Sequence, residues 1–95
     1  MNDKVEEKLK RYFNLTERAL KKVKIKRDIS RNDRITAEDF LDMAQRYFQD
    51  AKYFEKKGDI LTALCAVTYA HAFLDAGARA KLFETGGDTE LFAAE

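Results

Sequence analysis

Residues 44–82 read AQRYFQDAKYFEKKGDILTALCAVTYAHAFLDAGARAKL, and the dipeptide Gly58-Asp59 divides them into two helical patterns. Before it, Phe40, Ala44, Tyr47, Ala51 and Phe54 recur at three- and four-residue steps, the period of one helix face. After it, Ile60, Leu64, Val67, Leu74, Ala78 and Leu82 form a second stripe of the same period. Lys56 and Lys57 suit the last turn of the earlier helix, and Gly58 suits the left-handed position beyond it. Asp59 is a good N-cap for the helix that follows. So short a connection turns the two helices into an antiparallel hairpin.

Working outward, Thr36 offers an N-cap with Asp39 three residues on, so the second helix is expected from Thr36 to about Lys57. The third is expected from Asp59 to about Glu84. Upstream, Val5, Leu9, Tyr12, Phe13, Thr16, Ala19, Leu20 and Val23 share one stripe and predict a first helix over about residues 3–27. Its acidic start and basic end complement the helix dipole. Residues 28–35, DISRNDRI, read as a polar connection, and residues 85–95, TGGDTELFAAE, as a frayed tail in which Leu91 and Phe92 are the only groups able to dock. The expected fold is all-α: a single helical domain over residues 1–84, an antiparallel three-helix bundle whose first helix covers the groove of the hairpin.

Composition narrows the classes. Ninety-five residues leave no room for a second core, since domains run from about 50 to 250 residues. The absence of proline and the presence of only four glycines argue against turn-dense β folds and permit long helices. A single cysteine, Cys65, excludes a disulfide framework and Cys-based zinc modules, and suggests a reducing compartment. No run is expected to reach the roughly 18 apolar residues of a membrane span, and the charged start lacks the apolar core of a signal peptide. The expectation is a cytoplasmic protein without a membrane partner.

The hairpin carries A-x2-Y-F-x-D-A-x-Y-F-x3-G-D from Ala44 through Asp59 and Y-A-H-x2-L-D-A-G-A-R from Tyr69 through Arg79. These strings resemble the short archaeal proteins catalogued as domain of unknown function 357, over about residues 36–84. The resemblance implies a small intracellular archaeal protein and supplies no activity. A weaker similarity, through Phe54, Gly58, Asp59, Ala63 and Ala70, is to a single tetratricopeptide hairpin. One repeat of about 34 residues makes no solenoid.

Chemistry-bearing residues are few. His71, Asp75 and Arg79 stand four apart on the third helix, along one drifting line. In a pocket they would form an acid/base or anion-binding trio. In a core they would be a buried histidine with its balancing charges, the favoured reading because no nucleophile or glycine-rich loop accompanies them. Asp50 and Tyr47 across the hairpin complete the candidate polar site, Tyr47 with its hydroxyl sent to a carboxylate. A metal held by His71, Asp75 and Asp50 is the minor alternative, because bundle metal sites draw on several Glu and His residues and this chain has one histidine. No metal, cofactor or catalytic residue is assigned, and an enzyme is the less favoured reading.

Partners follow from the surfaces. Net charge is +1, but residues 1–35 hold twelve Lys and Arg against six Asp and Glu, and residues 36–95 six against eleven. The two halves can pair with each other, which weakens the case for a polyanion binder. Lys21, Lys22, Lys24, Lys26 and Arg27 spread around a helix end and lack aromatic or groove-reading company, which argues against nucleic acid. The third helix, by contrast, is apolar on a second side, at Tyr69, Phe73, Ala76, Ala80 and Phe83. Cys65 fits the same small-residue packing, in the core or at an interface. A helix apolar nearly all round needs two covers. The expected partner is a second copy, as a twofold dimer, or another protein.

Overall fold

The computed structural model describes residues 3–93. Three helices carry it: α1 (Asp3–Lys22), α2 (Arg31–Lys56) and α3 (Ile60–Arg79). Two short strands, β1 (Lys24–Ile25) and β2 (Phe83–Glu84), pair antiparallel, with Lys24 opposite Glu84 and Ile25 opposite Phe83. The molecule is elongated, 46 × 22 × 17 Å. α2 and α3 pack along their lengths, α1 lies chiefly on α3, and α1 and α2 scarcely touch.

The hairpin turn forms as its residues dictate. Gly58 takes φ +82°, its N–H reaches the Glu55 carbonyl at 3.0 Å, and the Asp59 N–H reaches Phe54 at 2.9 Å. These are the two bonds of a Schellman cap. The Asp59 carboxylate then accepts from the Thr62 N–H at 3.2 Å, so one residue closes α2 and opens α3.

α1 begins at Asp3 as expected, and the other three helix boundaries away from that turn differ from expectation. α1 stops at Lys22 rather than near Arg27. From Val23 to Lys26 the pattern is apolar, basic, apolar, basic, the two-residue period of a strand, and the Lys26 N–H extends the pairing to the Leu82 carbonyl at 2.9 Å. α2 begins at Arg31, not after Thr36. Ser30 is its N-cap and accepts from the Asp33 N–H at 3.0 Å, while the Thr36 hydroxyl donates back to the Asn32 carbonyl inside the helix. Arg34 holds the preceding loop by donating to the carbonyls of Lys26 and Arg27.

α3 ends at Arg79, about a turn before the expected Glu84. Lys81 adopts φ 63°, and the N–H groups of Lys81 and Leu82 bond to Ala78 and Gly77. This is a second Schellman cap, with lysine in the glycine position. The reversal folds Phe83 back onto Gly77, whose missing side chain makes room for the ring. Phe83 is therefore buried at 2% exposure and does not belong to the outer apolar strip expected of it.

The largest correction concerns residues 85–93, which are docked rather than frayed. Leu91 and Phe92 are 3% and 1% exposed and join the core of Ala19, Val23, Ala44, Leu74, Ala78 and Phe83. A second cluster fills the other end of the molecule with Leu9, Phe48, Ala51, Ala63, Val67 and Ala70. Between them lie the buried polar side chains Thr16 and His71. By length and composition α3 is also apolar enough to cross a membrane, with a mean hydropathy of 1.4, contrary to the expectation that no run would be. Its alanines account for this, since they score as apolar while serving close backbone packing: Ala63, Ala66, Ala70 and Ala78 are all buried against the other helices.

Candidate functional site

His71 sits on the side of α3 that meets α1. Its Nδ1 is 3.0 Å from the Thr16 hydroxyl, and its Nε2 is 2.7 Å from the Leu91 carbonyl oxygen. A carbonyl can only accept, so Nε2 carries a proton and donates. In the neutral ring Nδ1 then accepts from Thr16, which is wholly buried. Both ring nitrogens are engaged, one across to α1 and one to the docked segment.

Asp75, one turn on, has its Oδ1 3.6 Å from His71 Nε2 and accepts from the Ala93 N–H at 2.9 Å. The pair thus grips two main-chain groups of the segment, the carbonyl of Leu91 and the N–H of Ala93. Asp88 organises the near end of that segment. Its carboxylate accepts from the N–H groups of Glu90 and Leu91, both at 3.1 Å, and lies 3.1 Å from Lys22 Nζ. The Leu91 N–H and the Lys22 ammonium hold the Asp88 carboxyl below the ordinary aspartate range. Glu90 meets Arg18 at 2.9 Å on the exposed side. Burial of Leu91 and Phe92 contributes most to the docking, roughly 1.5–3 kcal/mol for each side chain.

The expected polar constellation does not assemble. His71 and Asp75 come together, but Arg79 lies exposed in the last turn of α3, and Asp50 is exposed on α2 beside Gln45, Arg46 and Gln49. Tyr47 sends its ring, not its hydroxyl, to its neighbours. It stacks on Tyr69 with centroids 5.3 Å apart and on Phe73 at 6.0 Å. Among the described residues no group of three His, Cys, Asp or Glu side chains gathers to hold a metal. Thr16 and the groups of residues 88–93 were the missing members. Thr16 stood in the sequence as the one aliphatic hydroxyl in the stripe of α1, as His71 stood in that of α3, and polar residues on facing stripes should pair.

The opposite side of α3, about 200° around at 100° per residue, carries a different surface. Phe40, Tyr69, Ala72, Phe73 and Ala76 line a shallow, wholly apolar hollow of about 250 Å³. Phe40 and Phe73 meet edge to face at 5.8 Å, and Tyr69 is 59% exposed. Cys65 and Leu61 are exposed on the same helix one and two turns before Tyr69, so the apolar line continues toward the hairpin turn. Cys65 is thus a surface residue. Ala80 is exposed beyond the last turn, while Phe83, as described above, has left the strip.

Two other features remain. A cleft of about 400 Å³ between α1 and α2 has Phe13 and Phe48 as its floor, with Lys10, Lys52 and Lys56 offset by Glu17 and Glu55 at its rim. The basic run is divided: Lys22 pairs with Asp88, Lys24 lies in β1, and the backbone of Lys26 and Arg27 holds Arg34.

No curated protein and no solved structure gives a significant match to the chain. A family model does, over residues 11–83, a span that takes in all of α2 and α3, Thr16, His71, Asp75 and the apolar hollow. By that match the chain belongs to the family described as protein of unknown function (DUF357).

Proposed function

We propose that this protein is a non-enzymatic helical module that works by association, first of all with a second copy of itself. The observation that carries this reading is the uncovered apolar face of α3, from Leu61 and Cys65 through Tyr69 and Phe73 to Ala76. Contiguous exposed apolar surface is what interaction sites present. Aromatic side chains concentrated in it are what interface centres favour. A twofold arrangement would lay each face on its equivalent, giving both subunits the same contacts.

The rival reading is a ligand-binding protein or enzyme built on His71, Asp75 and Arg79. No observation favours it: His71 has both nitrogens engaged in holding the fold, and the clefts described above are lined by other side chains. Light scattering tests the association reading. Wild type is expected to have a dimer's mass at high micromolar concentration, and Tyr69→Glu a monomer's. A wild type that remains monomeric throughout would overturn self-association.

A further inference from the structure

We infer that the site formed by Thr16, His71 and Asp75 is a docking site for a short peptide segment that begins in a turn, filled here by the chain's own residues 88–93 and open to the same segment of a second copy. It lies on the side of α3 away from the apolar hollow and does not depend on that surface.

The first reason is the kind of bond made. His71 donates to the Leu91 carbonyl and Asp75 accepts from the Ala93 N–H. Residues 88–92 form a turn closed by the Phe92 N–H on the Asp88 carbonyl at 3.1 Å, and the two groups that α3 binds stand where the chain leaves that turn. Side chains of α3 therefore hold the segment through its main chain. Pockets for Leu91 and Phe92 add selectivity, as in peptide recognition generally.

The second reason is charge. The segment brings Asp88 and Glu90, and the receiving side brings Lys22 and Arg18, paired with them at 3.1 and 2.9 Å. The third is how the segment is joined on. Gly86 and Gly87 both have positive φ and are exposed, and nothing approaches the position of a side chain at Gly87. Two adjacent glycines in that conformation make a hinge on which residues 88–93 can leave without disturbing β2. Finally, the family match contains the receiving residues Thr16, His71 and Asp75 and ends at residue 83, before the occupant begins. Exchange of the segment between copies would preserve every contact it makes, the condition for a swapped assembly.

Two measurements on the full-length protein test this. In wild type, the amides of Phe92 and Ala93 should exchange with solvent at least about 100-fold faster than those from Val67 to Leu74, as a unit that opens by itself does. Equal exchange rates would mean that the segment leaves only when the whole protein unfolds, and would overturn the proposal. The second uses Phe92→Ser, which weakens the resident segment, and a fluorescein-labelled peptide of sequence GGDTELFAAE, residues 86–95. The variant should bind this peptide saturably and about tenfold or more tighter than wild type, whose own segment competes. Adding Asp75→Ala should remove the binding, and a peptide with Leu and Phe exchanged for serine should not bind. A Phe92→Ser chain that keeps its helical circular dichroism yet binds no more peptide than wild type would refute the site. So would one that fails to fold, since the segment would then be an inseparable part of the core.

Discussion

At the residue scale, the two ends of the closing turn after α3 make opposite predictions about glycine. Lys81 occupies the left-handed C′ position at φ 63°, where a side chain is strained and glycine is not. Lys81→Gly is therefore expected to stabilise the protein by about 0.5–1 kcal/mol, the strain relieved outweighing the added freedom of the unfolded chain. Gly77 has an ordinary helical φ, but a methyl group there would overlap the ring of Phe83. Gly77→Ala should cost about 1–3 kcal/mol, because the ring is buried and cannot swing aside without opening the turn. Urea denaturation of both variants checks the pair of signs; equal effects would remove the proposed division of labour. Thr16→Val conserves shape while deleting the donor to His71 Nδ1. In so buried a site it should cost about 1–3 kcal/mol.

At the scale of elements, the hairpin was legible because three local signals agreed: the stripe of α2, the stripe of α3, and Gly58-Asp59 between them. The other boundaries were hidden by competing signals. Ser30 with Asp33 is as good a cap as Thr36 with Asp39, and only the tertiary anchoring of the loop by Arg34 decides between them. The alternation at Val23–Lys26 was masked by the basic run it lies in. It becomes a strand only because Phe83–Glu84, far along the chain, lies beside it. The docked segment had the faintest signature of all: an aspartate three residues before two apolar side chains. Asp88 gives that element a pH dependence. Its folded pKa is depressed, so its contribution is present above the ordinary aspartate value, about 3.9, and is lost as pH falls through the lower folded value. Acidification through that window should loosen residues 88–93 before the helices melt. Phe92 ring resonances should then shift toward random-coil positions, and Asp88→Asn should show much less of this change.

For the whole molecule, two forces are available to hold copies together, and they respond oppositely to salt. One is the apolar face of α3; the other is attraction between the basic first thirty-five residues and the acidic remainder. Part of that attraction is already satisfied within the chain, through Lys22 with Asp88 and Arg18 with Glu90, which leaves less for a partner. Among the described residues none covers the apolar hollow in this way: Phe83 has turned inward, and residues 88–93 dock on the other side of α3. At about 1 M salt the Debye length falls to about 3 Å, which removes attraction between exposed charges and leaves apolar burial in place. Sedimentation velocity across this range is therefore expected to show the dimer of wild type persisting at high salt, and Tyr69→Glu monomeric at every salt concentration. A dimer that dissociates as salt rises and tolerates Tyr69→Glu would move the contact to the charged halves. The aromatic cluster of Phe40, Tyr47, Tyr69 and Phe73 would then be an exposed rim of the hairpin's own packing, since Tyr47 and Phe40 already give those rings partners within the chain.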